Sequence, residues 1–218
     1  MTIIIDAILG GQPARFTDQG DFSAIAKTPL GGSVRVGFLG LEGDAQADLS
    51  VHGGPDKAIH HYPRDHYPFW QDALGNPPLL DAAGAFGENV STRGIDETVV
   101  CIGDRFRLGT ALVEISQGRQ PCWKLDHRFD GAKVLARVVR TGRSGWYYRV
   151  IEEGAVTRGD ALDLVERPEP AWSVARVFAL LIAGGAKGDP AAVRALAGLA
   201  PLSESWRKRA AKLADALG

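Results

Sequence analysis

The segment Ser116-Gln117-Gly118-Arg119-Gln120-Pro121-Cys122-Trp123-Lys124-Leu125 places one thiol in a turn, beside two cations and after a strand-like run. A thiol with a pKa of about 8.5 is only about 3% ionised at neutral pH, and the thiolate is the form that attacks electrophiles and ligates metals. Arg119 and Lys124, or a bound metal, would favour that form at Cys122. The competing reading is a small buried hydrophobe, the commonest fate of an unbridged cysteine. Cys101, flanked by Val100 and Ile102, reads as such a core residue.

A second cluster runs from Gly43 to His60, polar and glycine-rich between apolar strands. His52, Lys57 and His60 offer donors for an anion, and Gly53-Gly54 can expose backbone N–H groups in a concave nest. The alternative for His52-Gly53-Gly54-Pro55 is a tight turn that satisfies its own polar groups. His61 and His66 are expected to include surface positions. A third group, Phe86-Gly87-Glu88-Asn89-Val90-Ser91-Thr92, sets Glu88 and Asn89 among apolar or small neighbours. Buried there, they need partners, and they either orient a ligand or close hydrogen bonds at a strand end. Four histidines between positions 52 and 66 come without Cys-x-x-Cys or His-Glu-x-x-His, which argues against zinc. A Gly-Lys-Ser/Thr phosphate loop, a Gly-x-Ser-x-Gly elbow and a dinucleotide fingerprint are all missing.

These residues need a scaffold. Up to residue 167 the chain reads as short β-rich segments: Thr2 to Leu9, Ser33 to Leu39, Val99 to Ile102, Leu112 to Ser116, Trp146 to Ile151 and Ala161 to Val165. Turn signals punctuate the gaps, which favours an antiparallel or mixed barrel over a doubly wound sheet. Helical spacing predicts interruptions at Pro63 to Leu74 and Gly131 to Arg140. After Arg167 the break Pro168-Glu169-Pro170 precedes three helical runs: Ser173 to Ala183, Pro190 to Leu199 behind Asp189, and Glu204 to Leu217 behind Ser203. The reading is a barrel domain over 1–167 and a three-helix domain over 168–218. About 50 residues hold little core of their own, so the helices should dock on the barrel or on a partner.

The 218 residues carry 25 Lys and Arg against 26 Asp and Glu, so no overall field draws in polymeric nucleic acid or a membrane surface. The apolar run from Val177 to Ala183 is far short of the roughly 20 residues that span a bilayer. The N-terminal residues lack a secretory signal, which makes the cytoplasm the expected location. Two cysteines in such a chain are expected to stay thiols.

Taken together, Gly43-Asp44-x-Gln46-Ala47-Asp48, His52-Gly53-Gly54-Pro55-Asp56-Lys57-Ala58, Phe86-Gly87-Glu88-Asn89, Ile102-Gly103-Asp104 and Pro121-Cys122-Trp123-Lys124-Leu125 resemble, in order and spacing, the YiiM branch of MOSC-domain proteins. The match is strong from Lys27 to Phe129, and the region from Pro170 resembles the helical extension of that branch. The resemblance implies a mainly β fold with α elements: an irregular MOSC-type β-barrel followed by a small three-helix domain. It implies a molybdenum cofactor, a molybdopterin whose metal is ligated by the cysteine at position 122. Arg119, which matches the arginine of the family's Pro-Arg-x-Pro-Cys pattern, and Lys57 would meet the cofactor's phosphate or oxo groups. His52 and Glu88 join them as cofactor-binding candidates.

The activity expected is reduction of N-hydroxylated compounds such as hydroxylaminopurine-type bases, with His60 or Asn89 donating to the leaving oxygen. Electrons must then come from a separate reductase, because no flavin, nicotinamide or iron–sulfur motif is present. The alternative is a carrier of molybdenum cofactor or sulfur without turnover. The sequence also allows a homodimer. One position departs from the family pattern: residue 118 is Gly where Pro is common, and glycine's greater freedom predicts a looser loop.

Overall fold

A computed structural model describes residues 2–45 and 53–217. His52, one of the expected cofactor-binding residues, lies outside them. In chain order the strands are β1 (Thr2–Gly10), β2 (Ala14–Arg15), β3 (Phe22–Ser23), β4 (Thr28–Pro29), β5 (Ser33–Gly37), β6 (Gly40–Leu41), β7 (Ile59–His61), β8 (Val90–Thr92), β9 (Arg105–Leu108), β10 (Ala111–Gly118), β11 (Trp146–Glu152), β12 (Gly154–Thr157) and β13 (Ala161–Glu166). The helices are α1 (Tyr67–Leu74), α2 (Trp123–Arg128), α3 (Val134–Thr141), α4 (Val174–Leu181), α5 (Pro190–Ala197) and α6 (Glu204–Ala216).

Among the described residues, seven strands close a mixed β-barrel in the order β13, β9, β10, β11, β7, β8, β1, with β1 returning to β13 through Thr2↔Asp163 to Ile4↔Ala161. The pairing is antiparallel around the ring except at β7 and β8, which run parallel through His61↔Val90. Closure removes the unpaired edges that an open sheet would expose. Side chains alternate across the wall. Ile59, His61, Trp146 and Tyr148 share one fully buried face, whereas His60 stands opposite Tyr147 on the other. Helix α1 presses Trp70 onto this barrel, and Trp70 Nε1 donates to the Tyr62 hydroxyl, whose ring stacks on Phe86 at 4.1 Å.

Val99 to Ile102, expected as a strand, forms only a single bridge, Cys101 with Ser173. The segment is instead a turn held by Asp104, whose carboxylate accepts from Cys101 N and from the Arg167 guanidinium. That turn also anchors the helices: Ile102 N donates to Trp172 O, and Val174 N to Val100 O. Ser203 and Asp189 cap α6 and α5 by accepting from Trp206 N and Ala192 N, contacts worth about 1 kcal/mol each.

The helices α4 and α6 explain Gly118. A Cβ at this position would lie 3.1 Å from the Trp206 ring and 3.4 Å from Val174. The backbone of Gly118 is still in register, opposite Trp146. Gly118 is therefore the buried end of a strand pressed under the helical region, and the looser loop expected there is not what forms.

Candidate functional site

Strand β10 delivers the chain to the turn that bears Cys122. Arg119 N donates to Gly145 O at 3.0 Å, Pro121 follows, and Cys122 sits extended as the N-cap of α2, with its carbonyl accepting from Leu125 N. Cys122 is half-buried and neither cysteine is in a disulfide. Cys101 is buried, with its S–H directed at Pro170 O.

Beside Cys122 opens a cleft of about 600 Å³, mouth included. It is lined by Lys57, His60, Asn89, Arg119 and Cys122, together with Lys27, Lys124 and Tyr147. Five candidates that lie up to 65 positions apart in the chain, from Lys57 to Cys122, thus meet at one place. Glu88 does not line the cleft. It is fully buried, and its carboxylate accepts from the Tyr67 hydroxyl, Gly84 N and Phe86 N. With those donors it shapes the loop that bears Asn89, and burial with Glu88 alongside drives the Tyr67 hydroxyl pKa upward.

Asn89 lines the cleft, yet its side chain is already engaged. Its Nδ2 donates to Leu9 O and Asp44 Oδ2, and its Oδ1 accepts from His60 N. Both amide hydrogens are used, so Asn89 positions β7 and offers no proton to a departing oxygen. Lys27 supplies a cation that sequence reasoning missed. Its Nζ pairs with Asp44, both side chains almost fully buried, and Asp44 also accepts from Gly11 N. Burial lowers the Lys27 pKa and Asp44 opposes that shift. Burial likewise lowers Lys57, against Asp56.

His60 is the anomaly of the site. It is 3% exposed, and its Nε2 has no hydrogen-bond partner. Burial, then the Arg119 charge, push its pKa well down, with a hydrogen bond to the Gly87 backbone opposing them and Lys27 and His61 adding to the depression. In a neutral ring that carries its proton on Nδ1, Nε2 is a bare acceptor. Gly145, at φ 68°, passes so close that a Cβ there would stand 3.0 Å from Nε2. His66 and Glu97 hold this glycine, because Glu97 accepts from Gly145 N and from His66 Nε2. His61 and His66, expected to include surface positions, are both buried. The Tyr147 hydroxyl is pushed up by burial, and hydrogen bonding to Arg119 opposes the rise.

The MOSC domain matches residues 48–163, more than half of the chain, and the YiiM-like 3-alpha helix domain matches residues 172–213. The chain belongs to the MOSC-domain family. Protein YiiM of Escherichia coli (strain K12) is 43% identical over 190 residues, covering 87% of this chain and 84% of that protein. The crystal structure of YiiM from Geobacillus stearothermophilus superposes with a TM-score of 0.81 at 36% identity, covering 97% of this chain and 99% of the other. A protein named Reductase from Gibberella moniliformis (strain M3125 / FGSC 7600) is 44% identical over 156 residues; the match covers 71% of this chain and 28% of the fungal protein.

In this MOSC domain the donor set of the cleft fits a phosphorylated, sulfur-ligated metal cofactor. Lys27, Lys57, Arg119 and Lys124 supply cationic donors to a cleft that also presents a soft thiol, and thiolate suits metals that already prefer sulfur. Lys27 and Tyr147 line the candidate site and were missed by motif reading. Position 147 is legible only through its strand register with His60, and Lys27 only through its ion pair 17 residues away.

Proposed function

We propose that this protein is a molybdenum-cofactor-dependent reductase of N-hydroxylated compounds, hydroxylaminopurine-type bases among them. The observation that carries the reading is the cleft in which the Cys122 thiol, four cations and the unpartnered His60 Nε2 converge. The printed name of the fungal relative, Reductase, supports the reaction class.

Cys122 would ligate the metal as thiolate, and Lys57, Arg119, Lys27 and Lys124 would hold the anionic groups of the pterin. When bound, such a cofactor supplies two-electron redox chemistry coupled to oxygen removal. The overall change is R–NHOH plus two electrons and two protons giving R–NH2 plus water, with the electrons delivered by a separate reductase. His60 Nε2, neutral and bare, accepts a hydrogen bond from the N–OH group and fixes its orientation. Asn89 holds the His60 backbone in place, and the buried wall around Gly145 and Tyr147 limits water at the reacting end.

The test is expression in a host that makes molybdenum cofactor, followed by metal and pterin analysis and turnover of an N-hydroxylated purine with a dithionite-reduced viologen. Reductant-dependent amine formation is the expected result. Bound cofactor without any turnover would instead favour a carrier.

A further inference from the structure

Cys122 faces two clefts. The second is about 700 Å³, mouth included, and shares Lys57, Cys122 and Tyr147 with the first as a common partition. Its far wall belongs to the helical region, through Ser205, Trp206 and Arg209 of α6, with Gln117 as part of the barrel side.

The wall is held in place by hydrogen bonds. Ser203 N donates to Ser116 O at 2.9 Å, and Glu204 N to Asp56 Oδ2 at 3.2 Å. The Ser205 hydroxyl donates to Gln117 Oε1, and Arg209 Nε donates to Leu181 O at 2.6 Å, which pins the guanidinium along the cleft. Trp206 lies against Gly118, where a Cβ would stand 3.1 Å from its ring and require it to give by a few tenths of an ångström.

The two clefts differ in chemistry. Four cations line the first, a match for an anionic group. The second offers amides, hydroxyls, an indole and one guanidinium beside Lys57, which suit a neutral planar heterocycle carrying both donors and acceptors. We propose that the cofactor takes the barrel-side cleft without covering His60 Nε2, while the heterocycle of the N-hydroxylated substrate enters the helix-side cleft, where α6 reads it through Ser205 and Arg209 and its N–OH group reaches past Tyr147 to His60. This assignment rests on the reductase reading. It makes the three-helix region a specificity element, placed so that the oxidised nitrogen of the substrate arrives at the Cys122 partition.

The experiment compares cofactor-loaded wild type with Arg209→Ala and Ser205→Leu, the second narrowing the cleft from an exposed first turn of α6. Binding of an N-hydroxylated purine is measured by calorimetry. Turnover is measured with that purine and with hydroxylamine, which lacks a base, using the reduced viologen as donor. Either variant should weaken purine binding and raise its KM roughly ten-fold, the loss of one charge-assisted or sterically gated contact. The kcat, the molybdenum content and the hydroxylamine reaction should stay within two-fold.

Unchanged purine binding and KM in both folded variants would overturn the assignment, as would a wild type that binds no purine. Loss of turnover with a protein reductase, but not with the viologen, would give the cleft to the electron donor and overturn it as well. Purine that binds to wild type without being reduced would sink the reductase reading. Variants that then lost binding would still support the cleft.

Discussion

His60 and His61 are neighbours on β7, both buried, and the barrel wall separates their environments. On the inner face, His61 bonds the Tyr148 hydroxyl at 3.0 Å and the Thr92 hydroxyl at 2.9 Å, so both ring nitrogens are satisfied. On the outer face, His60 Nε2 has no partner and lines the cleft that holds Cys122. A buried polar group left unpaired costs about 1–3 kcal/mol. Satisfied polarity marks structure, and tolerated dissatisfaction marks a place where another molecule can complete the set. The two cysteines differ in access: Cys101 is enclosed against Pro170, while Cys122 opens onto two clefts.

The sharpest way to break the comparison is Cys122→Ala beside Cys101→Ala. The first should keep its fold by circular dichroism and melting, lose molybdenum, and lose at least about 10³-fold in turnover, because orientation of the reacting centre depends on its ligand. Cys101→Ala should retain activity and cost about 1 kcal/mol of stability. Full turnover by a folded, metal-loaded Cys122→Ala protein would return Cys122 to a packing role.

Next in size is His61→Leu, which strands the Tyr148 and Thr92 hydroxyls inside the barrel and should cost about 2–4 kcal/mol in urea denaturation. His60→Leu removes a ring whose Nε2 already lacks a partner and gives up the one bond to the Gly87 backbone, so its stability should fall by only about 1 kcal/mol while turnover falls. Equal stability losses would erase the distinction between the two faces.

A pH series sharpens the same point. Burial lowers the His61 pKa to about 3, and burial with nearby cations lowers His60 as well. In the unfolded chain each titrates near pH 6.5. Between those values the unfolded state binds protons that the folded state refuses, so the stability present above about pH 6.5 is lost as pH falls. His61 should contribute about 1.4 kcal/mol per pH unit between about pH 6 and its folded pKa, and His60 adds to the loss in the same direction. His61→Leu should remove one such increment from the slope measured between pH 6 and 5; an unchanged slope would mean that His61 charges in the fold.

A modest effect, on stability alone, is expected of Gly118→Ala, in which the Trp206 ring must give by a few tenths of an ångström. A loss of about 1–2 kcal/mol in melting experiments is expected from overpacking. A gain in stability would show that the contact between α6 and β10 has room to spare.

Sequence alone singled out the Cys122 turn as the candidate centre and determined the kind of fold around it. A lone thiol between Arg119 and Lys124, turn signals between short strands, and caps at Asp189 and Ser203 are local features, and local physics carries them into the structure. The tertiary structure alone decided which polar residues face the cleft. His60 and His61 are both enclosed, so alternating hydropathy cannot tell them apart, and burial on both sides of the wall hides the period. Lys27, Asp44 and Asn89 are joined by long-range pairing, and Glu88 is spent on its own loop. Gly118 reads as a loose turn until α4 and α6 are seen pressing on it, because a glycine's reason lies in the atoms that approach it from elsewhere in the chain.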